Sequence, residues 1–246
     1  MNVVFAGYRR WSYQILENLL KVKSGKWKLS AAITPPSTEA NFTNLLIPVL
    51  TVDPRKLNTA ATLQEIRKFH PRIFLFYGWS WLIPQELYAS YTCLILHPSP
   101  LPKYRGGSPL QHQIISGEKT SAVTILEVTN NIDAGPVYSQ TIFSLSGTLS
   151  QIFDRMVTIG TKDTKKVLDN IAHKRIHPVL QNENNATCYK RRKPHNSEIT
   201  MKDLRSKTAI ELYNFIRALD DPYPNAFIKC SDGKKLLLTS TKVAIE

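Results

Sequence analysis

Ten consecutive residues bring several chemically capable side chains together: His97-Pro98-Ser99-Pro100-Leu101-Pro102-Lys103-Tyr104-Arg105-Gly106. Histidine exchanges a proton near neutral pH, so a histidine held at a fixed place is a candidate proton relay. The prolines at 98, 100 and 102 keep the following loop extended and stiff, and Lys103 and Arg105 put fixed positive charge beside the ring. Asp133, 36 residues further on, opens the run Asp133-Ala134-Gly135-Pro136-Val137; by itself it reads as a turn aspartate before a glycine. The aromatic run Phe76-Tyr77-Gly78-Trp79 can pack against a flat ring and offer backbone hydrogen bonds to it. Tyr8-Arg9-Arg10 precedes a helical pattern, a place where phosphate can be held or where a first turn is simply solvated.

The elements that must position these residues follow from periodicity. Cys93-Leu94-Ile95-Leu96 is a short apolar run of the kind that forms a buried parallel strand, and it ends on His97. The carboxyl end of such a strand is where open α/β sheets bind ligands. Val3 to Ala6, Leu29 to Ile33 and Ile73 to Tyr77 read as further strands, with Val137 to Phe143 another and Ala122 to Val128 nearer an edge. Between them, Trp11, Ile15, Leu19 and Leu20 mark one helical face, and Leu63, Ile66 and Phe69 mark a second that ends before Pro71. Pro109 to Ile115 reads as a short helix closed by Gly117, and Ile152 to Ile171 as a long amphipathic one. Residues 37–48 have no period and read as a loop. This alternation predicts an α/β fold: a Rossmann-like, doubly wound, mostly parallel sheet. Lys190 to Ser197 is polar and interrupted by Pro194, and reads as a linker. Beyond it, Ile210 to Ile216 suggests a helix, and Ala226 to Cys230 with Leu236 to Thr239 a hairpin around Ser231-Asp232-Gly233-Lys234. The expected division is a catalytic domain over 1–193 and a small helix-plus-hairpin appendage over 194–246.

Four segments, in order along nearly the whole chain, resemble the formyltetrahydrofolate-dependent formyltransferases. They are Arg72 to Trp79, the His97 to Gly106 loop, Asp133 to Val137, and Asn185-Ala186-Thr187-Cys188-Tyr189-Lys190-Arg191-Arg192. The tail Ile216 to Phe227 resembles the start of the carboxyl-terminal domain of the tRNA and sugar enzymes of that family, and the chain looks most like the sugar-nucleotide N-formyltransferases. The resemblance implies that N10-formyltetrahydrofolate is the co-substrate, without a metal, and that His97 and Asp133 are catalytic. It places Phe76, Tyr77, Gly78, Trp79, Asn131 and Ile132 around the pterin. It places Tyr8, Arg9, Ser99, Lys103, Tyr104, Arg105 and Gly106 against the amine substrate. One departure stands out: the family carries an asparagine two residues before the histidine, and here that position is Ile95, which cannot donate a hydrogen bond. Gln111, with Gln113 behind it, is the first candidate for the replacement donor; both also fit a surface role.

Composition sets the outer limits. With 246 residues, 42% hydrophobic, the chain can bury one large core or a core plus an appendage. It has no apolar run long enough for a membrane span, and its start lacks the basic leader of a signal peptide. The cysteines at 93, 188 and 230 match no zinc or disulfide spacing, which points to a cytoplasmic protein. The formal charge of +13 suits either solvated helix faces or attraction of an anionic partner. Three readings follow: formylation of a nucleotide-linked amino sugar, formylation of a charged tRNA, or a non-catalytic binding protein, the last suggested by Ile95. The oligomeric state is left open by the sequence, with a homodimer as one candidate.

Overall fold

The computed structural model describes residues 1–38 and 42–244. In chain order the elements are β1 (Asn2–Ala6), α1 (Arg10–Leu20), β2 (Lys28–Thr34), β3 (Val49–Thr51), α2 (Ala60–Arg67), β4 (Ile73–Tyr77), α3 (Gln85–Tyr88), β5 (Thr92–His97), β6 (Arg105–Gly106), α4 (Pro109–Ile115), β7 (Thr120–Glu127) and β8 (Val137–Ser144). They continue with α5 (Leu149–Ala172), β9 (Cys188–Tyr189), α6 (Met201–Ser206), α7 (Ala209–Arg217), β10 (Ala226–Lys229) and β11 (Lys235–Leu238).

Seven strands form one sheet in the order β3-β2-β1-β4-β5-β7-β8. The first five are parallel, and β7 and β8 close the other side antiparallel. The chain winds outward from β1 through β2 to β3, then returns to lay β4 on β1's other side. That reversal opens a crevice beyond the carboxyl ends of β1 and β4, where doubly wound sheets bind their ligands. Alternation along β1 shows why the sheet is covered on both faces: Val3 and Phe5 face the layer of α1 and α5, while Val4 and Ala6 face the layer of α2 and α3. The long helix α5 is fixed at its start by a capping box, in which the Thr148 hydroxyl accepts from the Gln151 amide and the Gln151 side chain accepts from the Thr148 amide.

The expected fold class is the observed one. Beyond the short α3, β6 and β9, which the sequence did not announce, two further elements differ from expectation. Within the 37–48 loop, residues 39–41 lie outside the described residues, and the edge strand β3 follows directly; three residues carry too little alternation to announce a strand. The stretch after the linker holds α6, a polar six-residue helix whose start is a Thr200–Asp203 capping box. Around α7, a separate small cluster of Ile199, Phe215, Ile216, Leu219 and Ala226 forms, and Ile115 from α4 packs against it. Arg217 ties this cluster to the sheet by donating to the carbonyls of Leu145 and Gly147, at 2.7 and 3.1 Å.

Candidate active site

A cleft of about 990 Å³ lies at the carboxyl ends of β4 and β5. His97, Asp133 and Gln111 line it, together with Phe76, Gly78, Trp79, Asn131 and Ile132, and with Arg9 and Gly106 at its edge. Residues 97 and 133 come together as expected: His97 Nδ1 stands 3.5 Å from Asp133 Oδ2. Both are nearly sheltered from solvent, His97 being 6% exposed. The tie that orients the ring is not the carboxylate. His97 Nε2 stands 2.8 Å from the backbone carbonyl of Tyr104, and a carbonyl can only accept, so Nε2 carries the hydrogen. In the neutral ring Nδ1 then carries the lone pair, and it faces the Asp133 carboxylate. Asp133 has a left-handed backbone, φ 52°, and its Oδ2 accepts from the Gly106 amide at 2.8 Å.

The proline-rich loop is held rigidly under this pair. Ser99 is fully buried; its hydroxyl donates to the Lys103 carbonyl, and its own carbonyl accepts from Thr124. The Gln140 amide donates to Leu101. Tyr104 stacks on Tyr189 at 5.0 Å and donates to Glu118; burial first, then the Glu118 carboxylate, push its phenol up to about 12. The Arg105 guanidinium turns away from the cleft into a bidentate pair with Glu183, whose hydrogen bonds hold it above its ordinary value. Thus Ser99, Tyr104 and Arg105, expected against substrate, are internal supports of the loop, and Lys103 is exposed away from the cleft lining. Tyr8 also lies behind the lining, bonded to Ser80 and packed at 5.0 Å on Trp81. Tyr77 faces the opposite side of the sheet from Phe76; its fully buried hydroxyl pairs with Thr164 at 2.8 Å, and burial raises it far above the usual tyrosine range. Tyr77, expected beside the pterin, is thus fully buried and does not line the cleft.

Aromatic residues Phe76, Trp79 and Trp81 form an edge-to-face chain along one wall, with centroid separations of 5.8 and 5.2 Å. The Trp79 indole nitrogen is buried without a partner, an orphan donor in an apolar wall. Ile95 lines the cleft and packs with the cluster of Val4, Phe74 and Phe76. Gln111, on α4, is 4% exposed and its Oε1 is buried with no partner. Gln113, by contrast, donates to Pro98 and Pro109, holding the loop.

The sequence reading missed three contributions. Lys190-Arg191-Arg192-Lys193, expected as a linker, lines the cleft. Burial lowers Arg192 from its ordinary value, and its buried Nε has no partner. Leu219, Pro222, Tyr223 and Pro224, from the C-terminal segment, complete one wall. Gln181 bonds the Asp133 loop from behind, and no motif marked it. A cation block beside a tyrosine in a segment like Cys188 to Lys193 was the one readable signal for the first of these.

Residues 21–168 match the family model described as formyl transferase. The chain belongs to the formyl transferase family. It is 32% identical over 208 residues to the methionyl-tRNA formyltransferase of Lysinibacillus sphaericus, covering 82% of this chain and 63% of that protein. The chain therefore spans somewhat less than two thirds of that curated relative. Among solved structures, the methionyl-tRNA formyltransferase from Clostridium thermocellum superposes with a TM-score of 0.77 at 28% identity, over 99% of this chain and 94% of that one. A sugar N-formyltransferase from a Shewanella species gives 0.80 at 17% identity, over 100% and 99%. HypX from Aquifex aeolicus in complex with tetrahydrofolic acid gives 0.74 at 21% identity, over 97% and 37%. These last two share the fold. Among the described residues no histidine, cysteine and carboxylate cluster suits a metal, and no helix is long and apolar enough to cross a membrane.

Proposed function

We propose that the chain transfers a formyl group from N10-formyltetrahydrofolate to the primary amine of an anionic substrate, with a nucleotide-linked amino sugar as the preferred class. The observation that carries this is the His97–Asp133 pair set in a cleft walled by Arg9, Lys190, Arg191, Arg192 and Lys193, against which, among the described residues, only Glu127 and Asp133 bring negative charge. A partly desolvated guanidinium with an orphan Nε favours a phosphate or carboxylate close by. The formyl donor supplies an activated carbonyl carbon. The residues present suit its pterin: an apolar and aromatic wall of Phe76, Trp79, Ile83 and Val128, with the Trp79 N–H unpaired.

The attacking amine must lose a proton as its nitrogen bonds the formyl carbon. His97 Nδ1 takes that proton, Asp133 stabilises the resulting imidazolium, and the proton passes on to the folate nitrogen as its bond to the formyl carbon breaks. The developing oxyanion needs a donor about 2.7–3.1 Å away. The Gln111 side-chain amide takes that role in place of the asparagine that Ile95 displaces.

The curated relatives favour a second acceptor, the amine of methionyl-tRNA, which is also anionic. Incubation of the full chain with formyltetrahydrofolate and, in parallel, a panel of amino-sugar nucleotides and methionyl-tRNA, read by mass spectrometry, separates the two. Formylated sugar nucleotide is the expected product. Formylated tRNA alone replaces the substrate class, and no product with either overturns the activity.

A further inference from the structure

The loop that carries Asp133 is held from behind by side chains remote in sequence. Gln181 Nε2 donates to the carbonyls of Asp133 and Gly135, at 2.9 and 2.8 Å. Its Oε1 accepts from Arg105 Nε and Nη2, at 3.2 and 2.8 Å. Arg105 is 7% exposed, and Glu183 binds its outer edge through two bonds of 2.7 Å. The next residue, Gly106, donates its amide to the Asp133 carboxylate. A closed ring results: Arg105 side chain, Gln181, Asp133 backbone, Asp133 carboxylate, Gly106 amide, and back along the chain to Arg105. Paired backbone bonds between Val179 and Val137 anchor the segment that delivers Gln181.

The ring has a specific consequence. Asp133 sits in the left-handed region, which a non-glycine residue keeps only when its surroundings over-determine it. Two carbonyls of its loop, those of Asp133 and Gly135, accept from one side-chain amide, while the Pro136 carbonyl accepts from the Glu127 amide of β7. The amide is itself fixed by a buried guanidinium that cannot lose its charge. We infer that Gln181 and Arg105 are positioning residues, which hold Asp133 against His97 without touching substrate.

This inference rests on the catalytic reading of His97 and Asp133, and its test separates the two. Gln181→Met keeps the size and removes both bonds; Gln181→Glu still accepts from Arg105 but cannot donate to Asp133. Formyl transfer by each is measured with the full chain, alone and in an Asp133→Asn background. Each is expected to lower kcat about ten- to hundredfold, with KM for donor and amine within about twofold, because the fault is in alignment. In the Asp133→Asn background neither is expected to cause further loss, as residues acting through one group are not additive. Hydrogen exchange gives a reading independent of turnover: the Gly106 amide is expected to lose protection in Gln181→Met, while β1 and β4 amides keep theirs. Wild-type kcat and an unchanged Gly106 amide in both variants overturn the brace. So does a loss that multiplies with Asp133→Asn, or one that appears mainly in KM. Full activity in His97→Ala instead overturns the catalytic reading, and leaves the Gly106 exchange result to decide the brace on its own.

Discussion

An imidazole held between a backbone carbonyl and a carboxylate has its two nitrogens committed to different tasks. The Tyr104 carbonyl accepts the Nε2 hydrogen, leaving the Nδ1 lone pair next to Asp133, where the proposed function needs its base. His97→Gln or His97→Ala is expected to cut kcat at least a hundredfold while thermal unfolding changes by only a few degrees, since the ring fills little of the apolar core; steady-state kinetics with a melting curve checks both. Gln111 carries a second expectation. Gln111→Ala should lower kcat about 100-fold, the cost of one oxyanion donor. Ile95→Asn in that background should recover part of the loss, by returning an amide from the neighbouring strand wall. Unchanged kinetics in Gln111→Ala would leave the donor role to a backbone amide or water. The approach of His97 to Asp133 was legible from motif order, whereas Gln111 was only a substitute that fitted a surface role equally well, and the structure buries it. Ser99, Tyr104 and Arg105, expected against substrate, bond within the protein instead, for a physical reason. The Tyr104 and Arg105 side chains turn to Glu118 and Glu183, 14 and 78 residues away, and the Ser99 hydroxyl turns back onto the Lys103 carbonyl of its own loop; charge or hydroxyl in a loop says nothing about which way it turns.

Elements reach the site by close backbone approach, and two glycines make that approach possible. A Cβ at Gly135 would stand 1.9 Å from the Glu127 carbonyl, and one at Gly107 would stand 2.4 Å from the Arg191 Cα. Neither neighbour can swing aside, because both are backbone. Gly135→Ala is therefore expected to push the 129–136 loop from β7 and displace Asp133, with kcat lost along with several degrees of thermal stability; a kinetic assay and a melt on the same preparation check it. Gly107 lets the segment after β6 lie against the chain after β9, where the Gly107 amide donates to the Tyr189 carbonyl at 2.9 Å. Strands and helices with long apolar periods, such as β4, β5 and α5, were readable at this scale. The two-residue pairing of β6 with β9 was not, because its register depends on residues 83 positions apart whose side chains carry no period. That pairing brings the cationic segment 190–193 from an expected linker into the cleft wall.

At the scale of the whole molecule, the excess charge of +13 and the placement of cations in the cleft have to be separated. A diffuse excess raises solubility and weakly attracts any polyanion. Five cations lining one cleft, one of them partly desolvated, act on a ligand within a few ångströms and discriminate by position. The two contributions respond differently to salt: a field acting over more than about 8–10 Å is screened at physiological ionic strength, whereas a contact inside the cleft is screened much less. With saturating formyl donor, raising ionic strength from about 0.05 to 0.5 M is expected to raise KM for the anionic amine several-fold and leave kcat nearly constant, because charge steers and binds the substrate but does not enter the proton transfer. Lys190→Ala with Arg191→Ala should raise KM at low salt and flatten the salt dependence. Both side chains sit on the cleft rim, outside the ring that fixes Asp133. A steep salt slope that survives this double substitution would assign attraction to the distributed surface charge instead. A salt-independent KM would remove electrostatic recognition of the amine substrate altogether.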